Sequence, residues 1–237
     1  MKLSVPIFRL KRQAKQLARD RKIPLNQALD RIAKSEGFQS WSLLAAQHTK
    51  SKPAAQILAE LTPGDLVLLG ARPGHGKTLM GLDLIAQAIA AGSQAIFYSL
   101  EYTRSDIATR LQTLGSDNIL RTDAFTFDTS DDICADYVIA AAHTAPAGSV
   151  VVIDYLQLLD QDRAKPSLAE QLASLKAFTK TTGIITVLIS QIDRNYDPTT
   201  KPLPDMSDVR LPNPVDLTLF TKMVFLNDGE LRLQAVA

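Results

Sequence analysis

The sequence predicts a doubly wound α/β domain with a mostly parallel sheet and flanking helices, preceded by a small all-helical unit. From about residue 55 onward, short aliphatic runs alternate with helical patterns, as strands and crossover helices do in such a sheet. Apolar residues make up 46% of the 237-residue chain, and aromatic residues only 6%. Strands that are buried on both faces have this aliphatic-rich, aromatic-poor composition.

The distribution of charge divides the chain into two parts. Residues 1–50 contain 11 Lys/Arg and three Asp/Glu, a net charge of +8, although the whole chain has a net charge of +1. The remainder therefore carries −7. Because such a split suggests two units with different roles, we expect a basic helical module over 1–50 and a complete α/β domain over 55–237.

The basic module is predicted to form three short helices. Leu10 belongs to an apolar pattern at helical spacing, Pro24 suits the first turn of a second helix, and Ser40 precedes a third. Cations wrap much of the first helix, at positions 9, 11, 12, 15, 19, 21 and 22. The module is therefore a candidate for binding DNA or a protein partner. The alternative is a solvated basic helix that docks on the acidic domain. Residues 49–54 are predicted to form a linker.

Strands and helices alternate through the second unit. The strands are predicted over Asp65–Gly70, Gln94–Leu100, Ala124–Phe127, Ser149–Asp154, Ile184–Ser190, Lys222–Leu226 and Glu230–Val236. The helices are predicted over Lys77–Ala91, Thr103–Leu114, Asp131–His143, which begins at an acidic cap, and Leu168–Thr181. In open α/β sheets, ligands bind beyond the carboxyl ends of the strands. The residues that follow these strands are therefore the candidates for chemistry.

Cysteine content and hydropathy limit the class of protein. The single cysteine, Cys134, excludes an internal disulfide framework and a cysteine-rich zinc site. This count is typical of a reducing, cytoplasmic setting. No apolar run has the length of a membrane span, and the amino terminus lacks the apolar core of a secretory signal. We therefore expect a cytoplasmic protein that does not engage a membrane.

A glycine-containing loop after the first strand of the second unit has the pattern of a phosphate-binding loop. It reads Ala71, Arg72, Pro73, Gly74, His75, Gly76, Lys77 and Thr78, followed by Leu79. Small residues let the backbone wrap closely around a polyphosphate, and the helix that follows presents its free N–H groups to the same anion. Lys77 is expected to reach the β- and γ-phosphates of ATP, and the Thr78 hydroxyl to ligate Mg²⁺. A chance match in a turn is the alternative, but the loop also lies between a buried strand and a helix, as the motif requires.

Three polar residues follow other predicted strands. Asp154 ends a strand of apolar residues, where an aspartate is able to hold the water shell of Mg²⁺. Glu101 is a candidate for the base that orients and deprotonates the attacking water, or alternatively an acid that stabilises the next helix through its dipole. Gln191 is a candidate for sensing the γ-phosphate, or alternatively an ordinary loop glutamine.

Five motifs occur in an order that identifies a family. They are Gly70–Thr78 (GARPGHGKT), Tyr98–Glu101 (YSLE), Val151–Gln157 (VVIDYLQ), Ser174–Lys176 (SLK) and Ile189–Arg194 (ISQIDR). Over about Leu61–Leu226 the chain resembles the ATPase domain of DnaB-like replicative helicases, within the RecA-like group. Met206–Arg210, with Pro214–Asp216 and an apolar strand after it, looks like a diverged form of the family's next motif.

The resemblance implies an ATPase that acts on or with DNA and forms a homo-oligomer, a ring or a filament. In this family's pattern Lys77 and Thr78 bind phosphate and magnesium, and Asp154 coordinates the magnesium ion through a water molecule. Glu101 becomes the catalytic base and Gln191 the γ-phosphate sensor. Two loops that face the channel of a ring in this family carry candidate contacts to single-stranded DNA: Arg163, Lys165, Arg194, Lys201 and Arg210. The alternative is that these loop cations only aid solubility.

Two departures from the family pattern bear on the mechanism. The family usually has a Lys-x-Arg segment near its end that reaches the nucleotide of the neighbouring subunit. Lys222 and Arg232 are poor substitutes for it, so we expect hydrolysis to be slow. Residues 1–50 do not resemble the helical collar that precedes a replicative ATPase domain.

Three function classes follow from the sequence. The first is a DnaB-like ATPase of helicase or helicase-accessory type. The alternative is a regulatory ATPase switch that assembles on a protein partner. A small-molecule kinase is the third class, and it is disfavoured because no acceptor-binding lid is recognisable and the motifs around Glu101 and Gln191 suit water attack and a sensor.

Overall fold

A computed structural model describes residues 4, 7–49, 53–160, 165–211, 213, 215–227 and 229–236. The chain divides into two compact units. The first comprises Met1–Gln56 with Asp228–Glu230, and the second comprises Ile57–Asn227 with Leu231–Ala237. Among the helices that the structure describes, none is both long enough and apolar enough to cross a membrane.

The first unit is built on helices α1 (Ile7–Arg21), α2 (Leu25–Ser35) and α3 (Trp41–Thr49). Leu10, Ala33 and Leu44 form its small core, one residue from each helix, with Ile32, Phe38 and Trp41 packed against them. The backbone N–H of Trp41 donates to the Asp30 carboxylate at 2.8 Å, which fixes the start of α3 to α2. The three predicted helices are therefore present.

A fourth helix, α4 (Pro53–Glu60), was not predicted and corrects the expected linker over 49–54. Residues 50–52 lie outside the described part of the chain. Pro53 occupies the first helical position, where its missing N–H costs nothing, and good helix formers follow it. Ala54 and Ile57 are buried, so the segment also has an apolar side to pack.

The second unit contains a seven-stranded sheet in the order β3-β2-β4-β5-β1-β6-β7. The strands are β1 (Leu66–Ala71), β2 (Ala95–Ser99), β3 (Phe125–Asp128), β4 (Val150–Asp154), β5 (Ile185–Gln191), β6 (Lys222–Asn227) and β7 (Glu230–Ala235). The pairs from β3 across to β6 are parallel. The connection from β6 to β7 is two residues long, so β7 returns antiparallel at the edge. The fold is RecA-like, as the sequence predicted.

The remaining long helices are α5 (Lys77–Ala90), α6 (Arg104–Leu114), α7 (Ala135–Ala142) and α8 (Leu168–Thr182). Capping boxes, from Thr103 with Asp106 and from Ser167 with Glu170, begin α6 and α8. The predicted acidic start of α7 at Asp131 is wrong. The buried Gln171 side chain on α8 accepts the Ala135 N–H at 3.0 Å, and this distant contact takes the place of a local cap.

Helix α5 lies close against the centre of the sheet because Gly81 has no side chain. A Cβ added there would come within 2.8 Å of Ile189 Cδ1 on β5 and 3.1 Å of Val152 Cγ1 on β4. This close approach holds the first turn of α5 at the carboxyl ends of the strands. The packing of small residues against aliphatic strands therefore positions the loop that precedes α5.

A buried polar cluster joins β1 to β6 at the opposite, amino-terminal edge of the sheet. The Asp65 carboxylate accepts hydrogen bonds from Thr62 N–H at 2.7 Å, Thr221 Oγ1 at 2.8 Å and Lys222 Nζ at 2.6 Å. Lys222 also donates to the Glu60 carbonyl at 2.5 Å. Burial raises the pKa of Asp65, but these hydrogen bonds outweigh it and lower the pKa below the ordinary value. Lys222 is thus committed to a structural ion pair.

Replacement of Asp65 by Asn should lower the free energy of unfolding at pH 7 by about 2 kcal/mol, because it leaves Lys222 without its counter-charge. The folded pKa of Asp65 is depressed, so its contribution is present at neutral pH and is lost as the pH falls through that depressed value. The difference between wild type and variant in urea unfolding should therefore begin to shrink only below about pH 4, the ordinary pKa of an aspartate, and should disappear below the depressed pKa of Asp65. Asp123→Asn, at an exposed position, is the control and should stay within about 0.5 kcal/mol of wild type. A difference that persists unchanged in acid would contradict the assignment.

Candidate nucleotide-binding site

The predicted phosphate loop lies between the end of β1 at Ala71 and the start of α5 at Lys77. Gly74 and Gly76 have φ values of +78° and +83°, in the left-handed region that glycine adopts without strain. A Cβ added at either position would meet no atom within 4 Å. The two glycines thus leave open space where a Cβ would stand, beside the first N–H groups of α5, which have no acceptor within the helix. This arrangement suits an anion with several oxygens.

Thr78 and Asp154 meet at the carboxyl edge of the sheet. The Thr78 hydroxyl donates to Asp154 Oδ2 at 2.7 Å, and Asp154 is fully buried. Burial raises the pKa of Asp154 to about 6, although the Thr78 hydrogen bond and the Lys77 charge act in the opposite direction. The second oxygen, Oδ1, is buried and has no hydrogen-bond partner within the described residues. A buried carboxylate oxygen without a partner fits a cation or the water shell of one.

The residues at this edge fit a magnesium nucleotide. A hydroxyl and a carboxylate are oxygen ligands of the kind that Mg²⁺ prefers. Lys77 is largely buried at the start of α5, and its Nζ lies 5.9 Å from the ring centroid of Tyr155. Tyr155 follows Asp154 through a cis peptide bond. The ammonium group is thereby held beside the loop, where a phosphate would be bound.

Glu101 lies at the same edge, two residues beyond the end of the neighbouring strand β2. Ser99 at the end of β2 pairs with Asp154 at the end of β4, and Glu101 follows Ser99 by two residues. Its backbone N–H donates to the Ser99 hydroxyl at 3.2 Å, and its side chain is exposed. The negative charge of Glu101 contributes to the raised pKa of Asp154 and of Tyr155, although burial is the main cause for both. Glu101 is therefore close enough to Asp154 for its charge to affect the pKa of that residue.

Gln191 ends β5 beside the phosphate loop, since it pairs with Ala71 in the parallel register. Its side chain is partly exposed. Its carbonyl accepts the Arg210 N–H at 2.9 Å, and the next residue, Ile192, forms an antiparallel bridge with Val209. The chain after Gln191 therefore folds back onto the end of β5.

The segment 192–211, here called the switch loop, is held together by its own polar contacts. Asp193 N–H donates to the Asp208 carbonyl at 2.8 Å. Lys201 forms ion pairs with Asp205 at 2.6 Å and with Asp208 at 2.5 Å. The Asn227 amide at the end of β6 donates to the Pro202 carbonyl at 2.8 Å. The switch loop is thus a compact element that joins the ends of two strands.

Sequence reasoning assigned no role to Gln157, which links β4 to the switch loop. Its amide nitrogen donates to the Ser190 hydroxyl at 3.1 Å and to the Arg210 carbonyl at 2.6 Å. Because Arg210 also bonds Gln191, these contacts connect the ends of β4 and β5 to one point of the loop. Gln157 is the last residue of the family motif Val151–Gln157, and its place in that motif was the signal in the sequence that could have identified it.

Arg110 on α6 was also missed. Its guanidinium lies 4.1 Å from the centroid of the Tyr102 ring, and its positive charge acts to lower the pKa of Asp154. A cation is therefore held within electrostatic reach of the candidate magnesium site. No spacing in the sequence pointed to it, because the contact depends on how α6 packs beside β2.

The predicted DNA-contacting cations have different surroundings. Arg163 lies outside the described residues. Lys165 donates to the carbonyls of Asp131 at 2.7 Å and Ile133 at 3.2 Å, and Lys201 is held in the ion pairs described above. Arg194 and Arg210 are exposed. Within the described part of these loops, the two arginines are thus the better placed for an external anion.

Gly76→Ala should weaken ATP binding by at least about tenfold, which corresponds to about 1.4 kcal/mol. The new methyl group would stand where the loop surface is open, and the left-handed backbone would also be strained. Gly148→Ala is a matched control, since Gly148 has a φ of +82° and no atom within 4 Å of an added Cβ. Both variants should lose about 1 kcal/mol of stability, but calorimetric titration should detect the affinity loss only for Gly76→Ala. Equal affinities in the two variants would contradict a phosphate site at this loop.

The chain is similar to proteins of one family. The replicative DNA helicase DnaB of Leifsonia xyli is 28% identical in an alignment of 185 residues, and the match covers 63% of this chain and 40% of that protein. The replicative DNA helicase DnaB of Mycoplasma pneumoniae is 24% identical in an alignment of 222 residues, and the match covers 75% of this chain and 46% of that protein. The chain thus spans less than half the length of these curated relatives.

Similarity to solved structures supports the fold. The structure of a DnaB-like replicative helicase, described with its interactions with primase, matches with a TM-score of 0.60 at 16% identity and covers 92% of this chain and 65% of that one. A family model for the DnaB-like helicase C-terminal domain matches residues 49–122 and 120–215, which is more than half of the chain and includes Lys77, Asp154 and Gln191. This protein therefore belongs to the DnaB-like helicase C-terminal domain family.

Proposed function

We propose that this protein binds MgATP and hydrolyses it, as a helicase-type or helicase-accessory ATPase that acts on or with DNA. The observation that carries the proposal is the 2.7 Å hydrogen bond from Thr78 to Asp154. It sets the two residues expected to serve Mg²⁺ side by side, next to a loop whose glycines leave room for phosphate oxygens. Membership of the DnaB-like family supports the same function.

Nucleotide binding is assigned to the loop 71–79. Its backbone N–H groups and the start of α5 hold the phosphate oxygens, and Lys77 supplies a positive charge to the β- and γ-phosphates. Thr78 and Asp154 would hold Mg²⁺, the latter through water. When bound, this ion supplies charge neutralisation between the β- and γ-phosphates. Tyr155 limits the positions open to the Lys77 ammonium, because it lies beneath that group.

Hydrolysis is assigned to a water molecule activated by Glu101. As the water oxygen bonds to the γ-phosphorus, the bond from that phosphorus to the bridging oxygen breaks, and ADP leaves with the electron pair. Glu101 takes a proton from the water. Support for this role comes from the position of Glu101 beside Asp154 and from its exposure, which leaves its carboxylate open to solvent water.

Nucleotide state is proposed to act on the switch loop through Gln191. The backbone of Gln191 pairs with Ala71 at the start of the phosphate loop, and its carbonyl accepts the Arg210 N–H. A shift of Gln191 on loss of the γ-phosphate would therefore move Arg210 with it. Gln157 would transmit the same shift to β4, since it bonds both Ser190 and Arg210.

The partners proposed are single-stranded DNA and further copies of the chain. Arg194 and Arg210 are exposed cations on the switch loop and suit contacts with a phosphate backbone. A ring or filament is proposed from the family, whose helicases act as oligomers. The predicted boundaries of the two units, 1–50 for the basic module and 55–237 for the α/β domain, stay predictions. The cytoplasmic location also stays a prediction.

A regulatory ATPase switch is the second candidate function. The observation that favours it is that Lys165 and Lys201 already have partners within the protein, the Asp131 carbonyl and the Asp208 carboxylate respectively. Fewer loop cations are therefore left to contact DNA. Such a protein would use nucleotide to change the switch loop and would assemble on a protein partner. It would hydrolyse ATP slowly, at a rate that does not change when DNA is added.

Steady-state ATP hydrolysis, measured with and without single-stranded DNA, tests the proposal. Wild type should hydrolyse ATP, and Lys77→Ala should abolish turnover because phosphate binding is lost. Glu101→Gln should reduce the rate by about 10²- to 10⁴-fold while the variant still binds ATP. Glu230→Gln, at an exposed position on β7, is the matched control and should keep the wild-type rate.

The dependence on DNA distinguishes the two candidates. A large rise in rate with DNA, absent in Lys77→Ala, supports a DNA-stimulated motor or remodelling protein. A slow rate that does not respond to DNA supports the regulatory switch. Turnover that survives in Lys77→Ala would contradict both.

A further inference from the structure

Four of the cations of α1 lie on one face of the helix. At about 100° per residue, Lys11, Arg12, Lys15 and Arg19 fall within an arc of about 100°, and they extend along about 12 Å of the helix axis. Leu10 and Ala14, which lie outside this arc, are buried. The four cations therefore form a stripe that points away from the core of the first unit, here called the α1 basic face.

All four side chains of the α1 basic face are exposed. Among the residues that the structure describes, no acidic side chain forms an ion pair with any of them. A surface groove of about 400 Å³ runs beside Arg12, Lys15 and Arg19, with Gln16 and Asp20 completing its lining. The cations are thus free to meet an external anion, and the surface between them is concave.

The chemistry of this face favours nucleic acid over a folded protein partner. Stable protein interfaces have an apolar core within a polar rim. Among the described side chains of the first unit, the exposed large hydrophobic residues are Leu25 and Leu43, which lie on α2 and α3. A phosphodiester backbone needs only repeated cations, since each neutralised phosphate releases condensed counterions.

The net charge of the whole chain does not explain attraction to a polyanion, because it is only +1. The attraction would have to come from the local excess of cations in residues 1–50. No base-reading pattern accompanies them. The binding expected here is therefore strong at low salt, weak at high salt and indifferent to sequence.

We propose that the α1 basic face is a nucleic-acid-binding surface that holds the phosphodiester backbone through Lys11, Arg12, Lys15 and Arg19. It belongs to a different unit of the chain from the nucleotide site, and it does not depend on ATP binding. Its function is to keep the protein on nucleic acid whatever the nucleotide state.

The test measures fluorescence anisotropy of labelled 20-mers with the full chain, in the absence of nucleotide and Mg²⁺. Arg12→Glu combined with Lys15→Glu should weaken binding by about tenfold or more at low salt and reduce the slope of log affinity against log salt by about 2. Arg31→Glu combined with Lys34→Glu changes two exposed cations of α2 by the same charge and should stay within about threefold of wild type. Thermal unfolding should show that both double variants are folded.

Separate arms use single-stranded DNA, duplex DNA and RNA, which identify the form that the surface prefers. Poly-glutamate of equal charge is the competitor that represents an acidic protein. Equal losses in the α1 and α2 variants, unchanged affinity in the α1 variant, or competition by poly-glutamate as strong as by DNA would each overturn the proposal. Lys77→Ala should bind like wild type, so failure of the nucleotide site is distinguishable from failure of this surface.

Discussion

The buried hydrogen bond from Thr78 to Asp154 is the interaction on which the account of the site depends. It joins the first turn of α5 to the end of β4, two elements that are 76 residues apart in the chain. Both residues sit where they do because parallel strands end at one edge and because Gly81 lets α5 lie close to the sheet. The aliphatic core thus determines the geometry of a polar site.

The two edges of the sheet carry different polar clusters. At the amino edge, Asp65 and Lys222 satisfy each other, which lowers the pKa of the acid. At the carboxyl edge, Asp154 is buried with one oxygen unpaired, and its pKa is raised. A paired charge stabilises the fold, whereas an incompletely satisfied one is a feature of sites that bind or react. This contrast supports the assignment of chemistry to the carboxyl edge alone.

The sequence predicted the strands well because most of them are short aliphatic runs bounded by turn residues, and the structure places their ends within one or two residues. The phosphate loop was predictable for the same reason, since its pattern is local. Contacts between distant segments were not predictable. The start of α7 depends on Gln171, the pairing of Lys201 depends on how the switch loop folds, and the contacts of Gln157 reach two other segments. The roles assigned to the loop 71–79, to Asp154, Glu101 and Gln191, and to the DNA-contacting cations all stay predictions.

The most direct test of the central claim is calorimetric binding of a non-hydrolysable ATP analogue to wild type and Asp154→Asn, each with and without Mg²⁺. Wild type should bind the analogue much more tightly with Mg²⁺ than without it. Asp154→Asn should lose this difference and keep the affinity measured without Mg²⁺. If the variant retains the full effect of Mg²⁺, Asp154 does not serve the metal and the proposed site is wrong.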